Sequence, residues 1–187
     1  MPPKAKYTRE EIIDIAYESV RKYGEEFLSA RNLAAALGTS TAPIFTAFSG
    51  IDEIFSEVAK KAVQYYSEYI SDGLSGNLPF KGAGLKYIAF AKDEPHLFRM
   101  LFMREETEEP FSHYFPGGEE NEPVIRGVIC DTYHVNEDRA KKIYNHMAVY
   151  AHGLAVLYAQ GRCVFTDEDV SAMLSEVFLA LTRGEKI

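Results

Sequence analysis

The sequence predicts an all-α protein, and three observations support this. Apolar residues recur at intervals of three and four along several segments, as Ile12, Ala16 and Val20 do, which is typical of one face of a helix. Residues that start helices precede these segments; Thr8, with Glu11 three positions later, forms a capping box. No segment alternates apolar and polar residues as a half-buried strand would.

Four helices are predicted in the first 71 residues, over 8–23, 30–37, 41–47 and 52–71. Gly24 ends the first, Ser29 caps the second, Ser40 or Thr41 caps the third, and Pro43 falls in the first turn of the third. The fourth helix is expected to bury one apolar side: Ile54, Val58, Ala62, Tyr65 and Tyr69.

The remaining helices are predicted over 80–93, 96–103, 122–133, 137–160 and 167–183. Asn136 and Thr166 cap the last two. A segment rich in glycine, 72–79, breaks the pattern after the fourth helix. The acidic segment 104–122, which is rich in proline and glycine, is expected to form a loop or mobile segment with some local helix.

Composition and charge limit the functional classes. The net charge is −8, but residues 1–62 carry 8 Lys and Arg against 9 Asp and Glu, so most of the acidity lies further along. No apolar run approaches the roughly 18 residues of a membrane span, and the N-terminus lacks the apolar region of a signal peptide. We therefore expect a cytoplasmic protein with no membrane partner, and reduced thiols at Cys130 and Cys163.

A helix-turn-helix pattern lies in the segment LAAALGTSTAPIFTAF, residues 33–48. A short apolar helix stops at Gly38, a turn of three residues follows, and a second short helix carries Ile44, Phe45 and Phe48. Ala34 and Ala35 allow two helix axes to approach closely. Such a pair of helices can project its second helix into the major groove of DNA.

This segment resembles the TetR family of transcriptional regulators. The resemblance covers about the first third of the chain and rests on four stretches: 29–34, 38–40, 42–48 and 52–54. Two positions depart from the family pattern: Phe45 replaces a tyrosine that reaches a phosphate, and Ile51 replaces a lysine. The resemblance implies a DNA-binding domain at 1–51 and a helical effector-binding and dimerisation domain at 52–187, connected by helix 52–71.

Candidate DNA contacts follow from this pattern. Hydroxyl and methyl groups of the second helix can contact base edges, whereas the absence of Lys and Arg in that helix argues against readout of guanine. Cations elsewhere would then contact phosphates. The predicted DNA-binding residues are Lys4, Lys6, Arg31, Ser40, Thr41, Ala42, Phe45, Thr46 and Lys60.

Two further sites are predicted in the C-terminal region. Aromatic and sulfur-containing side chains indicate a pocket for an apolar or aromatic effector, formed by Tyr87, Phe90, Phe98, Met100, Met103, His146 and Tyr150. A two-fold interface between copies of the chain is implied by the resemblance, and small residues in the last two helices permit a close approach of helices. The predicted interface residues are Tyr150, Gly153, Leu154, Leu157, Val177 and Leu181. The alternative is that these helices simply close the core of the monomer.

The sequence thus predicts a homodimeric regulator, a repressor, that is released from a near-palindromic DNA site by an effector. The alternative is a helical ligand-binding module whose helix-turn-helix no longer binds DNA, which the uncharged second helix and the acidic balance favour. No metal-ligand, phosphate-loop or nucleophile motif indicates an enzyme, a metal or a cofactor. An ordinary helical core remains an alternative reading of the aromatic cluster.

Overall fold

The structure, a computed structural model, describes residues 7–104 and 118–183, and for residues 118–121 it describes the backbone only. Within these ranges the protein is all-helical and contains no strand. The α-helices are α1 (Arg9–Tyr23), α2 (Ala30–Ala36), α3 (Ala42–Ala47), α4 (Ile51–Leu74), α5 (Pro79–Asp93), α6 (Pro95–Phe102), α7 (Gly118–Tyr133), α8 (Glu137–Ala159) and α9 (Asp167–Arg183).

The starts of α1, α2 and α8 agree with the capping residues expected from the sequence. Thr8 and Glu11 form the predicted capping box at α1, and the Ser29 side chain accepts a hydrogen bond from the Asn32 N–H at α2. Asn136 caps α8 through the N–H of Arg139 in the same way. These short-range bonds satisfy N–H groups that have no partner within their own helix.

Thr166 starts α9 with a reciprocal pair of bonds. Its hydroxyl accepts from the N–H of Asp169 at 3.1 Å, and the Asp169 carboxylate accepts from the Thr166 N–H at 2.9 Å. The Asp169 carboxylate also accepts from the Thr166 hydroxyl at 2.9 Å, and its bonds with the N–H and the hydroxyl of Thr166 lower the pKa of Asp169, because both favour the charged form. The helix therefore begins where the sequence indicates.

One compact unit comprises the described part of Met1–Gln64 together with His96–Arg104. It contains α1, α2, α3, the first part of α4 and most of α6. Its apolar core draws on each of these helices: Ile12, Ala16, Val20, Leu33, Ile44, Ile54, Val58, Leu97 and Phe98 are all buried. Burial of these side chains is the main favourable contribution to the stability of the unit.

The other unit comprises Tyr65–Pro95 and the described part of Glu105–Ile187. Helix α5 packs along α8, and α7 and α9 both contact these two helices. Its buried core contains Tyr66, Ile70, Tyr87, Phe90, Ile125, Ile129, Ile143, Leu154 and Leu174. The functional boundary predicted after residue 51 stays a prediction.

Helix α4 differs from the sequence-based expectation in two details. It continues to Leu74, past Gly73, although the sequence predicts a break from residue 72. Its buried side continues with Tyr66 and Ile70 rather than with Tyr65 and Tyr69, which are only half-buried. All four side chains are apolar enough to be buried, so the pattern alone could not choose between two adjacent faces.

No helix in the described ranges has both the length and the apolar character needed to cross a bilayer.

Candidate nucleic-acid interface and apolar cavity

The turn between α2 and α3 is built around Gly38. The N–H of Thr39 donates to the carbonyl of Ala34 at 2.9 Å, and the N–H of Gly38 donates to that of Ala35 at 3.1 Å. This pair of bonds is the Schellman arrangement that closes a helix, and it places Gly38 at φ +63°, a region that favours glycine. The chain therefore turns within a few residues and starts α3 at Ala42.

Helix α3 is fixed by one side and exposed on the other. Ile44 is fully buried and Phe48 is 3% exposed, whereas Phe45 is 55% exposed although it is a large apolar residue. Ser40, Thr41, Ala42 and Thr46 are exposed as well. All five residues predicted to contact DNA from this segment thus lie at the surface.

Two hydroxyl groups on this exposed side differ in their bonding. Thr46 Oγ1 donates to the carbonyl of Ala42 at 2.9 Å, so its proton is used within the helix and its lone pairs remain as acceptors. Thr41 stands at the N-cap position but its side chain caps no N–H. The Thr41 hydroxyl bonds to none of the residues that the structure describes, so it can both donate and accept.

The arginine and lysine residues that are predicted to contact DNA differ in their exposure and ion pairing. Arg31 is exposed and pairs with no residue in the described ranges. The Lys60 ammonium lies 3.0 Å from Glu57 Oε1 and its side chain is 71% exposed, so this pair contributes little to stability and is open to exchange. Lys4 and Lys6 lie outside the described residues.

A clamp that the sequence did not predict joins α1 to the end of α3 and the start of α4. Arg9 Nη1 donates to the carbonyl of Ala47 at 2.8 Å, and Arg9 Nη2 donates to Glu53 Oε1 at 2.6 Å. The Arg9 guanidinium also lies over the Phe48 ring, 4.1 Å from its centroid. The clamp fixes the C-terminal end of α3 through the carbonyl group of its last residue.

Glu53 completes this clamp through its second oxygen. Glu53 Oε2 accepts from the N–H of Ser49 at 2.7 Å and from the Ser49 hydroxyl at 2.8 Å. These bonds, the backbone bond first and then that of Arg9, lower the pKa of Glu53 to about 2. The spacing of Ser49 and Glu53 could have been recognised locally, but Arg9 is 44 residues from Glu53 and no local signal connects them.

An apolar cavity of about 300 Å³ lies within the second unit, between α5, α7, α8 and α9. Its lining residues are Leu78, Phe80, Lys81, Ala83, Gly84, Ile125, Tyr133, Tyr144, Met147, Ala148, Ala151, Leu174, Ser175, Phe178 and Leu179. Phe178 lies beside both Tyr133 and Phe80, with ring centroids 4.6 Å and 5.7 Å apart. These three rings form an aromatic wall.

None of the predicted effector residues lines this cavity. Tyr87 and Phe90 are fully buried, as is Phe98. Met100 is also buried and Met103 is half-buried, and both belong with Phe98 to the other unit. Effector binding by these residues stays a prediction.

The orientation of α8 and α5 explains why the predicted effector residues do not line the cavity. Helix α8 turns Tyr144, Met147 and Ala151 toward the cavity, whereas His146 is exposed and Tyr150 is half-buried. Helix α5 presents Phe80, Ala83 and Gly84 to the cavity. The predicted set consists of the most conspicuous aromatic and sulfur-containing residues, but much of the cavity is lined by smaller ones.

Tyr87, which is predicted to contact an effector, has a partner within the protein. Its hydroxyl lies 2.8 Å from Nδ1 of His152. Burial raises the pKa of Tyr87, with a smaller effect of Tyr144, and burial lowers the pKa of His152. Both groups are therefore neutral near pH 7, and their bond satisfies the buried Tyr87 hydroxyl through a half-buried histidine.

The predicted dimer residues are exposed to different degrees. Leu154 is only 5% exposed in the single chain and belongs to its core, so its role in an interface stays a prediction. Gly153 and Leu157 are exposed, and Val177, Leu181 and Tyr150 are half-buried. Two apolar residues that the prediction omitted, Val149 and Leu179, are 59% and 43% exposed.

Within the described residues, no group of three or more His, Cys, Asp or Glu side chains is placed to hold a metal ion. Comparison with known proteins gives no further assignment: no protein-family model matches the chain, and no curated protein matches it significantly.

Proposed function

We propose that this protein is a homodimeric, cytoplasmic DNA-binding transcriptional regulator of the TetR type, a repressor that an effector releases from DNA. One observation carries the proposal. Helix α3 and its two flanking residues bury the side chains of Ile44 and Phe48 and expose those of Thr41, Ala42, Phe45 and Thr46, directly after a glycine turn. Phe45 leaves 55% of its surface to solvent, so this aromatic side chain is available to a partner on the exposed side of α3.

The chemistry of this face suits the major groove. The methyl groups of Ala42 and Thr46 can contact thymine methyl groups, and the Thr41 hydroxyl can donate to or accept from a base edge or a phosphate. Arg31, exposed at the start of α2, supplies the phosphate contact that positions the helix. Because α3 carries no cation, we expect sites rich in A·T pairs at the contacted positions.

A homodimer would present two such helices. For a near-palindromic site the two must lie about one helical turn of DNA apart, roughly 34–36 Å. An effector that prefers a different spacing would weaken DNA binding by its differential affinity for the two states. Exposed Gly153, Leu157 and Val149 on α8, with Leu179 on α9, support an interface formed by these two helices.

A second candidate function is a helical ligand-binding module without DNA affinity. The apolar cavity would serve it equally well, and the absence of any Lys or Arg in α3 favours it. Such a module has no need of Arg31 or of the exposed side of α3.

Selection of bound duplexes from a random DNA library, at moderate salt, separates the two functions. Enrichment of a palindromic site, followed by a measured Kd, would support the regulator. Arg31→Ala should then weaken binding and reduce the slope of log K against log salt by about 2 per dimer, since one phosphate contact is lost from each protomer. No enrichment by folded, dimeric protein would favour the ligand-binding module.

Arg162→Ala is the matched control. Arg162 is exposed and belongs to the other unit, which contains none of the proposed DNA contacts, so its replacement removes the same charge without removing one of those contacts. Equal losses for Arg31→Ala and Arg162→Ala would show that only net charge matters, and would contradict the assigned contact.

A further inference from the structure

The cavity in the second unit contains one charged residue in an otherwise apolar lining. Of its lining residues only Tyr133, Tyr144 and Ser175 carry a hydroxyl, and only Lys81 carries a charge. The Ser175 hydroxyl already donates to the carbonyl of Ser171 at 2.9 Å. No carboxylate is among these lining residues, so none of them repels an anion.

Lys81 differs from the other two lysines of α5. The Lys86 ammonium pairs with Asp72, and the Lys92 ammonium lies 2.7 Å from Asp167 Oδ1. Lys81 is half-buried and pairs with no carboxylate in the described part of the chain. The ammonium of a half-buried lysine among apolar side chains gains from an anionic partner, because burying the charge without one is costly.

The volume of the cavity limits the size of the apolar part of a ligand. An apolar protein cavity of about 150 Å³ accommodates benzene, with its six carbons. A cavity of about 300 Å³ therefore has room for about a dozen carbon atoms. The aromatic wall of Phe80, Tyr133 and Phe178 offers them apolar ring surfaces.

We propose that this cavity binds a medium-chain monocarboxylate of about ten to twelve carbons, with its apolar chain inside and its carboxylate on Lys81. The ammonium donates charge-assisted hydrogen bonds to the carboxylate, and the chain leaves water for the apolar lining. That this monocarboxylate is the effector rests on the proposed function. That the cavity binds it can be tested without DNA.

Calorimetric titration of the full chain with decanoate, below its micelle concentration, tests the site. Decanol, decyltrimethylammonium and acetate serve as neutral, cationic and chain-free comparisons. We expect decanoate to bind more tightly than decanol by about tenfold or more, and acetate not to bind measurably. Equal affinity for decanoate and decanol would overturn the proposal, as would the absence of decanoate binding.

Two pairs of variants locate the ligand. Lys81→Met should reduce decanoate affinity to that of decanol or below and leave decanol unchanged, whereas Lys86→Met, on the same helix but not among the cavity-lining residues, should change neither. Gly84→Phe should fill the cavity and abolish binding of both. Gly84→Ala is its control, because an added Cβ meets nothing closer than Leu174 Cδ1 at 3.8 Å.

Unaltered decanoate binding by a folded Lys81→Met or Gly84→Phe variant would place the ligand elsewhere and contradict the inference. The outcome is separate from that of the DNA selection, which uses no ligand. A protein that binds decanoate through Lys81 but selects no duplex would retain this site and lose the proposed regulatory function.

Discussion

Gly73 of α4 and Gly82 of α5 meet backbone to backbone. A Cβ atom added to Gly73 would lie 2.6 Å from the carbonyl oxygen of Gly82, and one added to Gly82 would collide with the Gly73 carbonyl. Real Cβ atoms do not approach backbone atoms so closely. The two glycines therefore let the end of α4 and the start of α5 cross at a distance that no other residue permits.

Replacing Gly82 by Ala should thus destabilise the protein, although helix propensity alone favours Ala by about 1 kcal/mol. Because the obstacle is backbone, we expect a net loss of roughly 1–3 kcal/mol in the free energy of unfolding, measured by urea denaturation. Gly84→Ala, two residues further along α5, has room for its Cβ and should be neutral or stabilising. A Gly82→Ala variant as stable as Gly84→Ala would contradict the close crossing.

The sequence could predict the helices but not every packing partner. Capping residues such as Thr8 and Asn136 bond to an N–H group only three positions further along the chain, so they can be recognised in the sequence. Gly73 instead suggests a break, because glycine weakens a helix locally. Glycine is required at position 73 because the backbone of Gly82 lies against it. This contact can be predicted only when the crossing of the two helices is known.

In the candidate sites, too, local features could be predicted from the sequence and features that depend on helix packing could not. The exposed side of α3 could be predicted, since Ile44 and Phe48 are spaced to be buried together. The cavity could not be predicted, because its lining includes small residues such as Ala83, Gly84 and Ala148, and no sequence pattern marks these as binding residues. A cavity arises where four helices leave space, and the position of that space depends on all of them.

Gly153 offers a test of the proposed dimer. It lies in the interior of α8, exposed, and a Cβ there would meet nothing within 4 Å in the single chain. Gly153→Ala should therefore stabilise the isolated fold by up to about 1 kcal/mol. If copies of α8 pack closely at this point, the same change should weaken dimerisation, as measured by sedimentation equilibrium.

Gly127 in α7 provides the control for Gly153. A Cβ added to Gly127 would also meet nothing within 4 Å, and this residue is not predicted to lie at an interface. Gly127→Ala should raise stability and leave the dimer dissociation constant unchanged. If both variants leave dimerisation unaltered, α8 does not form the interface at Gly153.

We expect the protein to lose stability below neutral pH because of the surroundings of His96. Its Nδ1 lies 2.8 Å from Arg99 Nη2, and since arginine can only donate, Nδ1 accepts and the neutral ring carries its proton on Nε2. Burial and then Arg99 lower the pKa of His96 below 6.5, against a smaller opposing effect of Glu26. The unfolded chain thus binds this proton more readily than the folded protein.

The contribution of neutral His96 is complete above the pH at which the unfolded histidine titrates, about 6.5, and declines as the pH falls through the lower pKa of the folded state. His96→Gln should reduce the fall in unfolding free energy between pH 7 and about pH 5. His146→Gln, at an exposed position, is the control. Equal pH dependence in the wild type and His96→Gln would refute this assignment.

Glu53 links the stability of the first unit to the orientation of α3. Its pKa of about 2 means that the folded protein favours its charged form, so its contribution is present above the ordinary value of 4.5 and is lost as the pH falls toward 2. Glu53→Gln should lower the thermal unfolding temperature at pH 7 and reduce the acid sensitivity between pH 4.5 and 2. Glu68→Gln, at an exposed position of the same helix, should do neither.

The same variant separates positioning from chemistry at the proposed DNA interface. Glu53 helps to hold Arg9, which binds the carbonyl of Ala47 at the end of α3. Glu53→Gln should therefore weaken binding to the selected duplex while leaving decanoate affinity unchanged. Since it removes a negative charge, simple electrostatics would strengthen DNA binding instead. A weaker complex, relative to Glu68→Gln, would thus identify Glu53 as a positioning residue, and a tighter one would show that the clamp has no part in recognition.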